Sequence, residues 1–192
     1  MTNKPKSTFQ EYVESLVWAV ILALIVRTFF VQAFKIPTGS MRPTLMEGDR
    51  ILVNKMIYGA KIPFTHWSLP EIAKPQRGDV VVFHAPDDKH RDFIKRLVAV
   101  GGDQVEIRDF HLWVNGKPIT DPPVFRQIVY YNRGTFGDTG KPVVVPPHCY
   151  FFLGDNSASS RDSRYWGFLP ENQVIGKAFL IYWPPKRVRA IH

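Results

Sequence analysis

The sequence predicts a mostly antiparallel β domain preceded by one transmembrane helix. Three observations predict it. A single long apolar stretch runs from Leu16 to Val26 and continues, past Arg27, to Phe34. After it come short β-branched and aromatic runs bounded by Gly, Pro and Asn. Beyond residue 35 no further helical periodicity is visible, which leaves strands and turns to build the core. A chain of 192 residues holds one domain of ordinary size with a small appendage.

Residues 1–14 are polar and mixed in charge, with Lys4, Lys6, Glu11 and Glu14, and read as a tail. Composition changes at Ser15, and residues 15–34 read as a spanning anchor. A span needs roughly 18–20 residues, so Arg27 has to lie within it. An Arg at a helix centre costs about 2.5–3.5 kcal/mol, less near an end where it can snorkel. The apolar run before it offsets that cost. A cleaved export signal fits less well, because no Ala-X-Ala-like site follows and the leading segment is weakly basic. A buried core helix would be apolar on one face, not all round. Orientation does not follow from charge: Lys4 and Lys6 on one side face Lys35, Arg42 and Arg50 on the other.

The β elements follow in order. Asp49–Asn54 and Asp79–Phe83 are β-branched runs entered from Gly48 and Gly78. Gln104–Ile107 and His111–Val114 flank a short polar turn, and Asn115-Gly116 signals a type I′ hairpin. Val143–Val145 and Tyr150–Leu153 flank Pro146-Pro147, and Ala178–Trp183 supplies a late strand. The stretch 56–75, with Pro63, Pro70 and Pro75, reads as an irregular loop, as does much of 117–142.

The net charge of +8 invites a nucleic-acid partner. The basic residues are dispersed, without a Lys/Arg tract or a recognised nucleic-acid motif, so none is expected. Attraction to membrane lipids fits better beside an apolar anchor. Cys149 is the only cysteine, which excludes an intrachain disulfide. The six histidines, His66, His84, His90, His111, His148 and His192, fall in no metal-binding or catalytic spacing. Neither a metal nor a cofactor is expected.

Three stretches carry chemistry. In Ile36-Pro37-Thr38-Gly39-Ser40-Met41-Arg42-Pro43-Thr44-Leu45 a serine sits in a stiff, turning segment flanked by two prolines. Asp92-Phe93-Ile94-Lys95-Arg96-Leu97 places a lysine among apolar bulk. Gly154-Asp155-Asn156-Ser157-Ala158-Ser159-Ser160-Arg161-Asp162-Ser163-Arg164 ends in Tyr165-Trp166-Gly167. Each alone reads blandly, as a solvated turn serine, a strand lysine and a polar surface loop. A serine hydroxyl attacks an amide only if a base takes its proton, and no histidine is positioned to do so. A neutral lysine serves if burial lowers its ordinary pKa of about 10.4 by several units. Lys95 suits that, with Phe93, Ile94 and Leu97 around it and the adjacent Arg96 charge disfavouring a second cation.

Together and in this order, the apolar segment and the three stretches resemble the bacterial type I signal peptidases, membrane-bound serine proteases with a Ser–Lys dyad. The resemblance reaches to Gly176-Lys177-Ala178. It implies that residues 35–192 are the catalytic domain, with a variable extension around 103–148. It also implies a cytoplasmic N-terminus, and a single-pass protein of the cytoplasmic membrane with its catalytic domain outside. The substrates would be preproteins bearing signal peptides, cut after small residues at Ala-X-Ala-like sites. By the same resemblance Ser40 is the nucleophile and Lys95 the general base. Thr38, where many relatives have Ser, joins the Ser40 amide in holding the oxyanion. Ser160 would hydrogen-bond Lys95 and fix its rotamer, and Asp162 and Arg164 would brace the loop as an ion pair. An extended peptide would pair with the segments at Phe34–Thr38 and Asp92–Lys95. Its pockets would be lined by Phe34, Ile36, Pro37, Met41, Val82, Phe83, Phe93 and Ile94. Trp166 and nearby aromatics would suit the lipid headgroup layer. Two alternatives stay open: a Ser–Lys protease of the self-cleaving repressor type, and a catalytically silent, membrane-tethered β module that binds exported peptides.

Overall fold

Local propensity and pairing partner compete at the end of the apolar segment, and pairing wins. In the computed structural model, which describes residues 8–59 and 70–192, helix α1 covers Thr8–Ile25 and a π-helical turn follows at Val26–Phe30. The expected span 15–34 differs at both ends. The helix begins within the polar tail, and Val31–Phe34 leave it for strand β1, Val31–Lys35. The cause is tertiary: β1 hydrogen-bonds antiparallel to β2, Arg50–Asn54, with Phe34 opposite Ile51. None of α1 is buried, and its 18 residues are apolar enough to cross a membrane. At 1.5 Å per residue it is about 27 Å long, close to a bilayer's hydrocarbon thickness. Arg27 falls in the π-helical turn, at the end nearest the domain.

The domain is mostly antiparallel β. Its main sheet adds β3, Val80–Ala85, and β4, Asp88–Val100. Further strands are β9, Cys149–Leu153, β10, Leu169–Pro170, β11, Val174–Trp183, and β12, Arg189–Ala190. The order is β1-β2-β11-β3-β4-β9-β10, with β12 on β11. A smaller sheet, β7-β6-β5-β8, comes from β5, Gln104–Arg108, β6, His111–Val114, β7, Lys117–Pro118, and β8, Val143–Val144. Asn115 and Gly116 both take positive φ, 54° and 74°, as a type I′ turn between β6 and β7 requires. Between residues 117 and 142 only β7 and a 3-10 turn at Pro123–Arg126 are regular. In the expected 56–75 loop Met56–Tyr58 form a 3-10 turn, while 60–69, with Pro63 and His66, lie outside the described residues.

Three apolar clusters form the core. One lies under the small sheet, around Val105, Ile107, Leu112, Tyr130 and Phe151. The other two cover opposite faces of the main sheet. Ile36, Met41, Leu45, Ile51, Val80, Val82 and Ala178 pack on one face, and Val81, Phe83, Leu97, Phe152 and Leu169 on the other. Period-two alternation produces that division, since adjacent strand residues point to opposite sides.

Two strand edges are left open within this arrangement. Among the described residues β1 pairs only with β2, and β4 meets β9 from Arg96 onward, which leaves Asp92–Lys95 paired there with β3 alone. The alternating directions of β1, β2, β11, β3 and β4 make β1 and β4 parallel. Both point toward residues 36–40.

Candidate active site

Ser40 is displayed by a short turn that the rest of the domain clamps. After β1 the chain stays extended through Thr38, at φ −134° and ψ 156°, and then makes a 3-10 turn at Gly39–Met41. Ile36 fixes the approach: its N–H donates to the Asp49 carbonyl and its own carbonyl accepts from the Gly48 N–H, both at 2.9 Å. Asn156 grips the turn from the far side. Its N–H donates to the Ser40 carbonyl at 3.1 Å, and its side-chain amide to the Gly39 carbonyl at 3.0 Å. A Cβ on Gly154 would collide with the Ser160 hydroxyl and the Ser40 carbonyl, so glycine is required for this close approach.

Lys95 reaches the serine from β4. Its Nζ donates to Ser40 Oγ at 2.7 Å and to the Ile94 carbonyl at 3.0 Å, with the Phe93 ring 5.6 Å away. Both members of the pair are buried, Lys95 5% and Ser40 9% exposed. Burial pushes the Lys95 ammonium down to about 8, against the opposing pull of Asp162 and Asp155. An appreciable fraction of free amine is therefore present near neutrality.

The expected help from Arg96 is corrected by the structure. Arg96 is fully buried on the opposite side of β4 and is neutralised there. It forms a fork to Asp155 at 2.8 and 2.7 Å and also donates to the Gly78 and His192 carbonyls. Its charge is spent on that network, and desolvation is what lowers Lys95. Thr44 adds a hydrogen bond to Asp155, which ties the segment after Ser40 to the same network. Asp155, Asn156 and Thr44 lie inside the stretches that carry chemistry, but nothing local in the sequence assigns them a role. The available signal was the adjacency of Lys95 and Arg96 on one strand, which forces two buried cations to opposite faces.

Of the expected supporting residues, the structure brings Asp162 and Arg164 together and keeps Ser160 from Lys95. Arg164 Nε and Nη2 donate to the two Asp162 oxygens at 2.7 and 2.8 Å, both side chains essentially inaccessible. The Gly154 N–H donates to Asp162 Oδ2 at 3.0 Å, so this pair positions the loop that holds Ser40. Arg164 also donates to the Tyr131 and Ser157 carbonyls. Ser160 is buried, yet its hydroxyl has no hydrogen-bond partner among the described residues. The expected bond to Lys95 is not formed: the lysine amine donates to Ser40 and Ile94, and the Ser160 side chain packs against Gly154. Thr38 is exposed, two residues before Ser40.

The eight expected pocket residues do not share one surface. Ile36, Met41 and Val82 are core members on one face of the main sheet, with Phe34 and Ile94 packed against them, and Pro37 is exposed. Phe83 and Phe93 face the other way: Phe83 lies within 4.6 Å of the Phe152 ring, centre to centre, and both Phe93 and Trp166 meet it edge-on. Trp166 is a partly buried member of that cluster. Among the described residues no grouping of His, Cys, Asp and Glu could hold a metal ion.

Fold and site together define a class: a β domain on an apolar helix, carrying a serine hydroxyl coupled to a buried lysine amine. Comparisons with known proteins supply the family. The family model described as signal peptidase, peptidase S26, matches residues 9–183, and the chain belongs to that family, whose activity is serine endopeptidase hydrolysis. A signal peptidase I of Bacillus caldolyticus is 37% identical over 88% of this chain and 88% of its own length. Those of Pseudomonas fluorescens and Pseudomonas aeruginosa are 34% and 33% identical, each over 93% of this chain and 74% of theirs.

Proposed function

We propose that the chain removes N-terminal signal peptides from exported preproteins, cutting after small residues by a Ser40–Lys95 dyad. The observation carrying this reading is the 2.7 Å contact between two buried groups of which one, the amine, is desolvated toward neutrality. As Ser40 Oγ attacks the carbonyl carbon before the cut, the free amine of Lys95 takes the hydroxyl proton. The Ser40 N–H and the Thr38 hydroxyl hold the developing oxyanion. The intermediate collapses to an acyl-serine and the leaving amine takes the proton from Lys95. Water, deprotonated by the same amine, then hydrolyses the acyl-serine. Asn156, Gly154 and the Asp162–Arg164 pair position the turn and take no part in proton transfer.

The substrate lies as an extended strand between the open edges of β1 and Asp92–Lys95, running from the membrane toward Ser40, parallel to both. Phe34, Ile36, Met41, Val82 and Ile94 line its apolar side. They admit, in this reading, Ala-sized side chains at the first and third positions before the cut. In this reading α1 spans the cytoplasmic membrane, residues 35–192 stand outside it, and membrane lipids and preproteins are the partners. Ser40 follows the end of β1 by five residues, each spanning at most about 3.6 Å. The nucleophile is therefore within roughly 20 Å of the sheet's membrane-side strand, where a signal peptide's cleavage site emerges.

The test is cleavage of a synthetic signal-peptide substrate by the detergent-solubilised full chain. One cut after the small residue, lost in Ser40→Ala, is the expected result. Peptide binding without any cut would instead point to a silent binding module.

A further inference from the structure

Beyond the apolar side of the proposed groove lies a polar cleft of about 160 Å³ at the membrane-side end of the sheet. Gln32, Lys55, His84 and Asp92 line it, together with Val174 and Ile175. Its place follows from strand register. Side chains two residues apart share a face, so Gln32 continues the row of Phe34 and Ile36 on β1. His84 continues Val82 on β3, and Asp92 precedes Ile94 on β4, with His84 directly opposite Asp92 and Val82 opposite Ile94. All three rows change from apolar to polar as they reach this cleft. The cleft adjoins the anchor, since the Lys55 N–H donates to the carbonyl of Phe30, the last residue before β1.

A parallel strand fed along this face repeats the step. With its first and third side chains before the cut over Ile36–Met41 and Phe34–Val82–Ile94, the fifth falls roughly 6.6 Å further toward the membrane, at the polar cleft. We infer that this cleft is a subsite for an uncharged hydrogen-bonding side chain, Asn, Gln, Ser or Thr, five residues before the cut. The inference rests on the substrate register proposed above and extends it.

The chemistry of the lining selects that class. The Asp92 carboxylate, 2.9 Å from His84 Nδ1, is an acceptor, Lys55 is a donor, and Gln32 offers both. Burial already pushes the Lys55 ammonium below its ordinary value. An apolar side chain would remove more water from Lys55 and Asp92 and return no hydrogen bond, a loss polar sites penalise strongly. An acidic side chain would face Asp92 and a basic one Lys55. Amides and hydroxyls meet neither repulsion. The subsite would thus mark where a substrate's polar region gives way to its apolar segment.

The experiment uses the full chain in detergent and peptides with Ala at positions one and three before the cut and Asn, Leu, Asp or Lys at position five. Asn should exceed Leu in kcat/KM by about tenfold, with Asp and Lys also below Asn. In Gln32→Leu, and separately in His84→Leu, the Asn-to-Leu ratio should fall toward one. Gln32 is half-buried on an edge strand, so its variant keeps the test open if His84→Leu does not fold. Equal cleavage of the Asn and Leu peptides by the native chain would overturn the subsite, as would an unchanged ratio in a folded, active variant. Indifference to Ala or Leu at positions one and three would instead overturn the underlying register.

Discussion

Lys95 and Arg96 are neighbours on one strand, both cationic and both buried, and they do opposite things. Arg96 is surrounded by acceptors: a carboxylate fork from Asp155, two backbone carbonyls and the Thr44 hydroxyl. Lys95 meets a hydroxyl, one carbonyl and an aromatic ring, with the nearest influential carboxylates acting only through space. A buried cation with a matched anion stays charged and braces structure. One without a contacting anion is pushed toward neutrality and becomes available as a base. Whether a buried charge is chemical or structural is decided by its partners, and depth of burial alone does not separate them.

The sharpest way to break the contrast is to remove the dyad. Ser40→Ala or Lys95→Ala should lower kcat on a signal-peptide substrate by about 10⁴-fold or more, and the double variant should be scarcely worse, because the pair acts as one unit. Lys95→Arg should be as inactive as Lys95→Ala, since guanidinium cannot give up its proton at working pH. Thermal unfolding followed by circular dichroism should show all of these folded. Substantial turnover in Lys95→Arg would refute the base assignment.

Arg96→Leu tests the structural half. It strands Asp155 in the interior and should destabilise the domain by about 3–5 kcal/mol in denaturant unfolding. The double variant Arg96→Leu/Asp155→Leu should recover part of that loss. An Arg96→Leu protein of native stability but no activity would move Arg96 into the chemistry and erase the distinction.

The titration sharpens the other half. With the folded Lys95 pKa lowered to about 8, the ammonium form dominates below that value and is inactive as a base. The rate should rise about tenfold per pH unit up to roughly 8 and level off above it. A profile flat from pH 6 to 9 would contradict the role of desolvation.

Ser160→Ala should give the smallest effect. Its hydroxyl is buried without a partner, so removing it should change stability by about 1 kcal/mol or less, with kcat little altered. A large fall in kcat at unchanged stability would restore the sequence-level expectation that Ser160 orients Lys95 during turnover.

What the sequence determined by itself was local and periodic. The apolar segment, the strands around residues 50, 80, 105, 112, 151 and 180, and the Asn115-Gly116 turn each follow from side-chain pattern and backbone preference within a few residues. The proximity of Ser40 to Lys95 was readable only as a resemblance, because 55 residues separate them and no local rule joins them. Tertiary structure alone decided the rest. Val31–Phe34 are apolar enough to prolong the helix, yet pairing with β2 makes them a strand. Val82 and Phe83 are equally apolar, yet alternation within one sheet puts only Val82 beside the proposed groove. Arg96 keeps its proton whatever surrounds it, so the open question was Lys95, and only the fold shows that its ammonium is buried without a contacting carboxylate and pushed down to about 8. Charge is a property of a residue, whereas the cost of burying it depends on what the fold sets beside it.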